Sequence, residues 1–192
     1  MVERSGFADD REALSAPAEH RLLLQLQLVV DWLRLAEQRH QWFILLGSAG
    51  LAVMLSLVSS TTDENPRYGM GLAAAIMMTG LMSGVLSFYP TSRIVSRIAC
   101  KSIAPAPDNN LYDFQHLARY DPDPLVRAVK LWYLNDLPAS ITVSRGEHDL
   151  ATEVVVNAKI ACTKMRLFSL GLAAFAIGAI VALVSALAAL VA

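Results

Sequence analysis

Three long runs of apolar residues dominate the hydrophobic pattern of the chain. The segments 42–60, 68–89 and 167–192 contain no Asp, Glu, Lys, Arg or His residue. A helix needs about 20 apolar residues to cross a hydrocarbon core of roughly 30 Å. The pattern therefore predicts three transmembrane helices. The polar segment 61–67 carries Asn65-Pro66, which predicts a short outer loop that joins the first two spans as an antiparallel hairpin.

The residues before the first span alternate as in an amphipathic helix. In the segment 19–41, apolar residues fall on one helical stripe: Leu22, Leu26, Val29, Leu33 and Ala36. No helix breaker separates this stripe from the first span, so one continuous helix is expected to emerge from the membrane. The preceding segment 1–18 is polar and contains Ala and Pro, and we expect it to be disordered.

The segment 90–166, between the second and third spans, predicts a small helical unit. Asp123-Pro124 is a typical helix start, and this helix is expected to run to about Leu137. A last helix is expected to begin near Glu147 and to continue into the third span. The fold class is therefore an all-α membrane protein with a transmembrane hairpin, a C-terminal transmembrane helix and a small helical segment built on helices extending from the membrane.

The distribution of basic residues predicts the orientation. Of the 16 Lys and Arg residues, only Arg67 lies in the segment 61–67, and the others precede the first span or lie within 90–166. By the positive-inside rule, the N-terminus and residues 90–166 are cytoplasmic and the C-terminus is periplasmic. The net charge of −1 provides no overall basic field, so no nucleic-acid partner is expected.

The residues that would carry catalysis or metal binding are not grouped in the sequence. The four His and two Cys residues lack metal-ligand spacing, so no metal site is expected. The chain has no phosphate-binding glycine loop and no nucleophile elbow, so we expect no catalytic residues and no enzyme activity. Ion-coupled transport is also disfavoured, because no ionisable residue lies within a span.

Small residues in the spans predict close contacts between helices. Their positions are Gly80 and Gly84 in the second span and Ala174, Gly178, Ala182 and Ala186 in the third. These contacts could form within one chain or between subunits. Hydroxyl groups at Thr79, Ser83 and Ser87 could line a pore, although such groups more often bond to their own helix backbone.

Two clusters in the segment 90–166 combine groups that could hold a small anionic ligand. Aromatic rings stack on bases, and Arg or Lys pairs with phosphate. The alternative is a small helical core with a basic rim near lipid headgroups. The first cluster is Tyr112, Phe114, His116, Arg119 and Tyr120, and the second is Asn157, Lys159 and Lys164.

Several short motifs resemble those of the Pycsar effector transmembrane family (PycTM) of bacterial antiphage defence. The best match is EVVVNAKIACTKMRLFSLGL at residues 153–172, with Asn157-Ala158 and Lys164 leading into the last span. LSFYPTSR after the second span is similar to a Leu-x-Pro-Arg element of the family, although Arg93 is displaced from the proline. LYDFQHLARYDPDPL is similar to its aromatic cytoplasmic segment. The resemblance covers roughly residues 22–183.

The resemblance implies a bacterial inner-membrane effector that is activated by a cyclic pyrimidine nucleotide, cyclic UMP or cyclic CMP. A partner pyrimidine nucleotide cyclase would make this ligand after phage infection, and no other cofactor is implied. The activated protein would act on the lipid bilayer as a homo-oligomer, impair membrane integrity and cause abortive infection. Two alternatives stay open: a ligand-free membrane scaffold or holin-like partner, and an accessory subunit of a transport complex.

Overall fold

The computed structural model describes the backbone of residues 6–61, 64–88, 110–135 and 141–191, and within these ranges it describes side chains from residue 17 to residue 189. The described residues form five helices: α1 (Gly6–Ser60), α2 (Glu64–Leu86), α3 (Phe114–Leu117), α4 (Pro122–Tyr133) and α5 (Arg145–Val191). Three of them, α1, α2 and α5, are long and apolar enough to cross a membrane. The predicted all-α membrane class is confirmed.

Two helices are much longer than a membrane crossing requires. α1 has 55 residues and α5 has 47, whereas about 20 residues suffice. α1 contains the predicted amphipathic segment and the first span without interruption. α5 begins at Arg145 and includes the third span. The prediction that each of these helices continues without a break into its span is confirmed.

The N-terminal segment differs from its prediction. Residues 6–18, expected to be disordered, belong to α1. The residues 12–24 are rich in Ala, Leu and Glu, which are strong helix formers. The helix propensity of these residues and their continuity with the packed part of α1 favour a helix despite their polar composition. Pro17 lies inside this helix.

The other differences concern where helices begin and end. α2 begins at Glu64, so the connection to α1 is shorter than the predicted loop 61–67. Pro66 lies in the first turn, where its missing N–H removes no helical hydrogen bond. α4 ends at Tyr133 instead of about Leu137. Asn135 has a φ of 55°, a left-handed conformation that commonly terminates helices.

The chain divides into two compact units, and both long helices contribute to each. The extramembrane unit comprises Met1–Arg34 and Ser92–Cys162, and the membrane unit comprises Leu35–Thr91 and Thr163–Ala192. The core of the membrane unit includes a cluster of Met54, Met70, Ala73, Met77 and Ala182. Flexible methionine side chains fill irregular spaces between helices.

Small residues bring α2 and α5 into close contact within the membrane unit. A Cβ atom added at Gly80 would lie 2.6 Å from the Gly171 carbonyl oxygen. At Gly178, an added Cβ would lie 2.9 Å from the Ala73 carbonyl oxygen. Of the other predicted packing positions, Gly84 lies against the Phe43 ring, Ala174 lies beside Gly80, and Ala182 and Ala186 lie in or against the methionine cluster. These small residues are therefore engaged in contacts within one chain.

The hydroxyl groups of α2 bond to the backbone of their own helix. Thr79 Oγ1 donates to the Ala75 carbonyl at 2.9 Å. Ser83, and Ser87 just after the end of α2, each donate to the carbonyl three residues earlier at 2.7 Å. The Ser83 hydroxyl also lies 3.4 Å from the Leu167 carbonyl of α5. This pattern matches the local bonding that is usual for Ser and Thr in helices.

The core of the extramembrane unit combines apolar residues of four helices. Leu22 and Val29 of α1 are fully buried, as predicted from their stripe. They share this unit with buried residues of the shorter helices and of α5: Leu117, Leu125, Val126, Val129, Ala151 and Val154. Burial of apolar side chains is the main stabilising contribution in such a small helical unit.

Candidate functional site

The aromatic segment 112–120 divides into core residues and one exposed ring. Tyr120 is 1% exposed, and Phe114 is 6% exposed and packs on Trp32 with ring centroids 5.4 Å apart. Both were predicted as ligand-binding residues, but their burial makes them parts of the core. Tyr112, in contrast, is 42% exposed. Of these three aromatic residues, it alone has a ring that is accessible to a ligand.

The remaining polar residues of the first predicted cluster have different surroundings. His116 Nδ1 accepts a hydrogen bond from the Asn110 backbone N–H at 2.9 Å. This bond links the His116 side chain to the turn before α3. Arg119 is half-buried, directly after α3. Among the described residues, no hydrogen bond or ring contact joins either side chain to Tyr112.

Tyr112 belongs to a group of three side chains from different parts of the extramembrane unit. Arg21 of α1 donates a hydrogen bond from Nη1 to the Tyr112 hydroxyl at 3.2 Å. The guanidinium carbon of Arg21 lies 5.9 Å from the centroid of the Tyr133 ring, at the end of α4. The Tyr112 and Tyr133 rings meet edge to face, with centroids 5.8 Å apart. We call Arg21, Tyr112 and Tyr133 the Arg-Tyr cluster.

The electrostatics of the Arg-Tyr cluster favour a neutral Tyr133 beside a cation. Burial raises the pKa of Tyr133 above its usual value, and the neighbouring Tyr112 raises it further, whereas Arg21 opposes the shift. Tyr133 therefore keeps its phenolic proton at neutral pH. The cluster presents one positive charge and two uncharged aromatic rings. This combination suits an anion that carries a planar group.

A buried ion pair connects α4 to the beginning of α5. Lys130 Nζ lies 2.7 Å from Glu147 Oε1 and 2.9 Å from Oε2, and it donates to the Thr142 carbonyl at 2.8 Å. The Glu147 side chain is fully buried and that of Lys130 is 9% exposed. Lys130 lies on α4, one helical turn before Tyr133. The ion pair therefore links α4, the helix of Tyr133, with α5.

Glu147 also takes part in a reciprocal cap at the start of α5. The Ser144 hydroxyl accepts the Glu147 backbone N–H at 3.1 Å, and Glu147 Oε2 accepts the Ser144 backbone N–H at 2.8 Å. This Ser-x-x-Glu arrangement is a capping box. It satisfies two backbone donors that a helix start would otherwise leave without partners.

Loss of this cap should lower stability moderately. We expect Ser144→Ala to reduce the free energy of unfolding by about 1 kcal/mol, because the Glu147 N–H loses its acceptor. Thermal unfolding of the detergent-solubilised full chain measures the change. Ser169→Ala is a matched control on the same helix, since the exposed Ser169 hydroxyl only bonds to the Met165 carbonyl. Equal stability of Ser144→Ala and the wild type would contradict the capping role.

The second predicted cluster, Asn157, Lys159 and Lys164, lies on α5. Asn157 Nδ2 donates to the Glu153 carbonyl of its own helix at 2.9 Å. Lys159 is half-buried. Lys164 Nζ lies 2.6 Å from Glu37 Oε1, and its side chain is 14% exposed. The charge of Lys164 is therefore balanced within the chain, and its contact with Glu37 ties α1 to α5 inside the membrane unit.

One further histidine is buried in the membrane unit, close to the Lys164–Glu37 pair along α1. His40 is 1% exposed, and its Nδ1 lies 2.6 Å from the Ala36 carbonyl oxygen. Its ring packs edge to face on Phe168, with centroids 5.2 Å apart. Within the described part of the chain, no three His, Cys, Asp or Glu side chains are grouped to hold a metal ion.

The fold defines a class of protein: an all-α membrane protein whose two longest helices also build an extramembrane unit with an aromatic and cationic surface cluster. The chain belongs to the PycTM family, since the family model described as "Pycsar effector protein domain" matches residues 21–192. It is thus a Pycsar effector of antiphage defence. The family is not a known enzyme family. No curated protein and no solved structure matches the chain.

Proposed function

We propose that the protein is a membrane effector that a cyclic pyrimidine nucleotide, cyclic UMP or cyclic CMP, activates after phage infection. The observation that carries this proposal is the family match over residues 21–192. The activated protein impairs the bacterial inner membrane, and the infected cell stops growing. Its functional partner is a pyrimidine nucleotide cyclase, which acts through its product. The effector itself carries out no catalytic step.

The continuity of α1 and α5 supports a mechanism for activation. Each helix contributes residues to both units. A nucleotide that binds the extramembrane unit can therefore act on the helices that enter the membrane. A ligand shifts an equilibrium only by its different affinity for the two states. The nucleotide must bind more tightly to the state in which the long helices permit a leaky assembly.

Association into homo-oligomers is the second part of the proposal. Because Gly80 and Gly178 contact neighbouring helices of the same chain, association through these positions requires the α2–α5 contact to open. The distribution of basic residues supports a topology in which the N-terminus and the extramembrane unit lie in the cytoplasm, where the cyclase product accumulates, and the C-terminus lies in the periplasm. The inner membrane is then the bilayer that the effector impairs.

Ligand-dependent stability tests the proposal directly. A ligand at about 100 times its dissociation constant adds about 2.7 kcal/mol to the folded state. We expect cyclic UMP or cyclic CMP to raise the unfolding temperature of the solubilised full chain, with cyclic AMP and cyclic GMP as matched controls. No shift with either pyrimidine nucleotide, in protein with native helix content, would contradict the proposal. Co-purification with a different membrane protein would then indicate an accessory subunit.

A further inference from the structure

We infer that the Arg-Tyr cluster is the binding site for the activating nucleotide, with Arg21 contacting the phosphate and the Tyr112 ring contacting the base. The inference rests on the proposed function, because it assigns a site to that ligand. The proposed site contains two residues, Arg21 and Tyr133, that were not among the predicted ligand-binding residues. It also excludes Phe114 and Tyr120, which are buried in the core.

The charge of Arg21 favours an anionic ligand at this cluster. Among the described residues, no carboxylate lies within ion-pair distance of Arg21. Its recorded contacts are a hydrogen bond to the Tyr112 hydroxyl and the face of the Tyr133 ring. A guanidinium has five N–H donors, and most of those of Arg21 have no partner among the described residues. A half-buried cation that contacts two tyrosine rings and has no carboxylate partner in the described part of the chain is suited to an anion.

The chemistry of a cyclic nucleotide matches the side chains of the cluster. A cyclic nucleotide combines one negatively charged phosphodiester with one planar base. Arg binds phosphate oxygens through its planar fork, and aromatic rings stack on bases. Tyr112 is 42% exposed, whereas Tyr133 is partly buried behind it and positions it through the edge-to-face contact.

The position of the cluster connects it to both long helices. Arg21 lies on α1, which continues to Ser60 in the membrane unit. Tyr133 lies on α4, one turn from Lys130, which is paired with Glu147 of α5. A ligand at this site therefore contacts α1 directly and reaches α5 through α4. The two helices that continue into the membrane unit are both connected to the site.

Nucleotide affinity of the full chain tests the inference. The protein is placed in nanodiscs of phosphatidylcholine, whose headgroups carry no net charge, and titrated with cyclic UMP and cyclic CMP by calorimetry. We expect Arg21→Gln to weaken binding of the recognised nucleotide at least tenfold, as expected for loss of a charge-assisted contact. Arg34→Gln is the matched control on the same helix and should change affinity less than twofold. Arg34 is exposed and pairs with Asp31.

A second set of variants and probes separates the two contacts. Tyr112→Leu should weaken nucleotide binding and should equally weaken binding of the uncharged nucleoside. Arg21→Gln should leave nucleoside binding unchanged. Because Tyr112 is exposed, its variant keeps the test valid even if Arg21→Gln does not fold.

The outcomes distinguish this inference from the proposed function. If the wild type binds a pyrimidine nucleotide and both Arg21→Gln and Tyr112→Leu bind it equally well, the site assignment is wrong and the proposed function stands. If the wild type binds neither nucleotide, the proposed function fails and the assignment fails with it. Equal weakening by Arg21→Gln and Arg34→Gln would indicate a general effect of charge and would also overturn the assignment.

Discussion

Lys130→Met is expected to lower the free energy of unfolding by about 3–5 kcal/mol, the largest effect of any single substitution argued from this structure. The substitution leaves the Glu147 carboxylate fully buried without its cation. It also removes the donor of the Thr142 carbonyl. Loss of one partner of a buried ion pair costs much more than the pair contributes, because desolvation of the remaining charge is no longer compensated. Urea unfolding of the full chain in mixed micelles measures the change.

Two comparisons make this prediction specific to the buried pair. The double variant Lys130→Met with Glu147→Met should recover much of the stability, because neither charge remains in the core; the capping contribution of Glu147 stays lost. Asp31→Asn removes one partner of an exposed pair and should cost less than about 1 kcal/mol. A change below about 1 kcal/mol for Lys130→Met would contradict the prediction.

The transmembrane architecture is predictable from the sequence because its signals are local. An uncharged run of apolar residues is sufficient to identify a spanning helix. The continuity of α1 and α5 is equally local, since no proline or glycine interrupts the sequence at the entry to either span. Helix ends are less predictable. The Asn65-Pro66 pattern predicted a loop, but Pro66 lies in the first turn of α2. The apolar pattern predicted a helix to about Leu137, but α4 ends at Tyr133, and Asn135 follows in a left-handed conformation.

The candidate site is harder to predict because its contacts join distant parts of the chain. Arg21 and Tyr112 are 91 positions apart in sequence, and neither belongs to a motif that would pair them. Of the eight predicted ligand residues, Tyr112 alone belongs to the Arg-Tyr cluster. Phe114 and Tyr120 satisfy the same residue-type criterion but are buried. In a small unit, a large aromatic ring stabilises the core more readily than it serves a ligand.

The cap at the start of α5 was not predicted, although its sequence pattern is local. Ser144 and Glu147 have the Ser-x-x-Glu spacing of a capping box, and the helix that follows them continues into the third span. The buried partner of Glu147 was not predictable from the sequence, because Lys130 lies on a different helix and Lys residues are seldom buried. The same Glu therefore has a local role that sequence can predict and a tertiary role that it cannot.

Gly80→Leu is expected to lower the free energy of unfolding by about 3 kcal/mol, because a side chain at this position cannot be accommodated by a rotamer change. An added Cβ would meet the Gly171 carbonyl oxygen at 2.6 Å and the Phe175 backbone nitrogen at 3.0 Å. Both are backbone atoms, so α2 and α5 must separate. Thermal unfolding of the solubilised full chain measures this loss.

Gly71→Leu is the matched control on the same helix, because a Cβ atom there has no neighbour within 4 Å. It should leave stability unchanged or slightly raised, since Leu favours helix over Gly. If activation opens the α2–α5 contact, Gly80→Leu also favours the open state without nucleotide. Its expression should then slow growth of uninfected cells, whereas that of Gly71→Leu should not. If Gly80→Leu is as stable as Gly71→Leu, the contact between α2 and α5 does not limit stability. Activation through opening of this contact would then be contradicted.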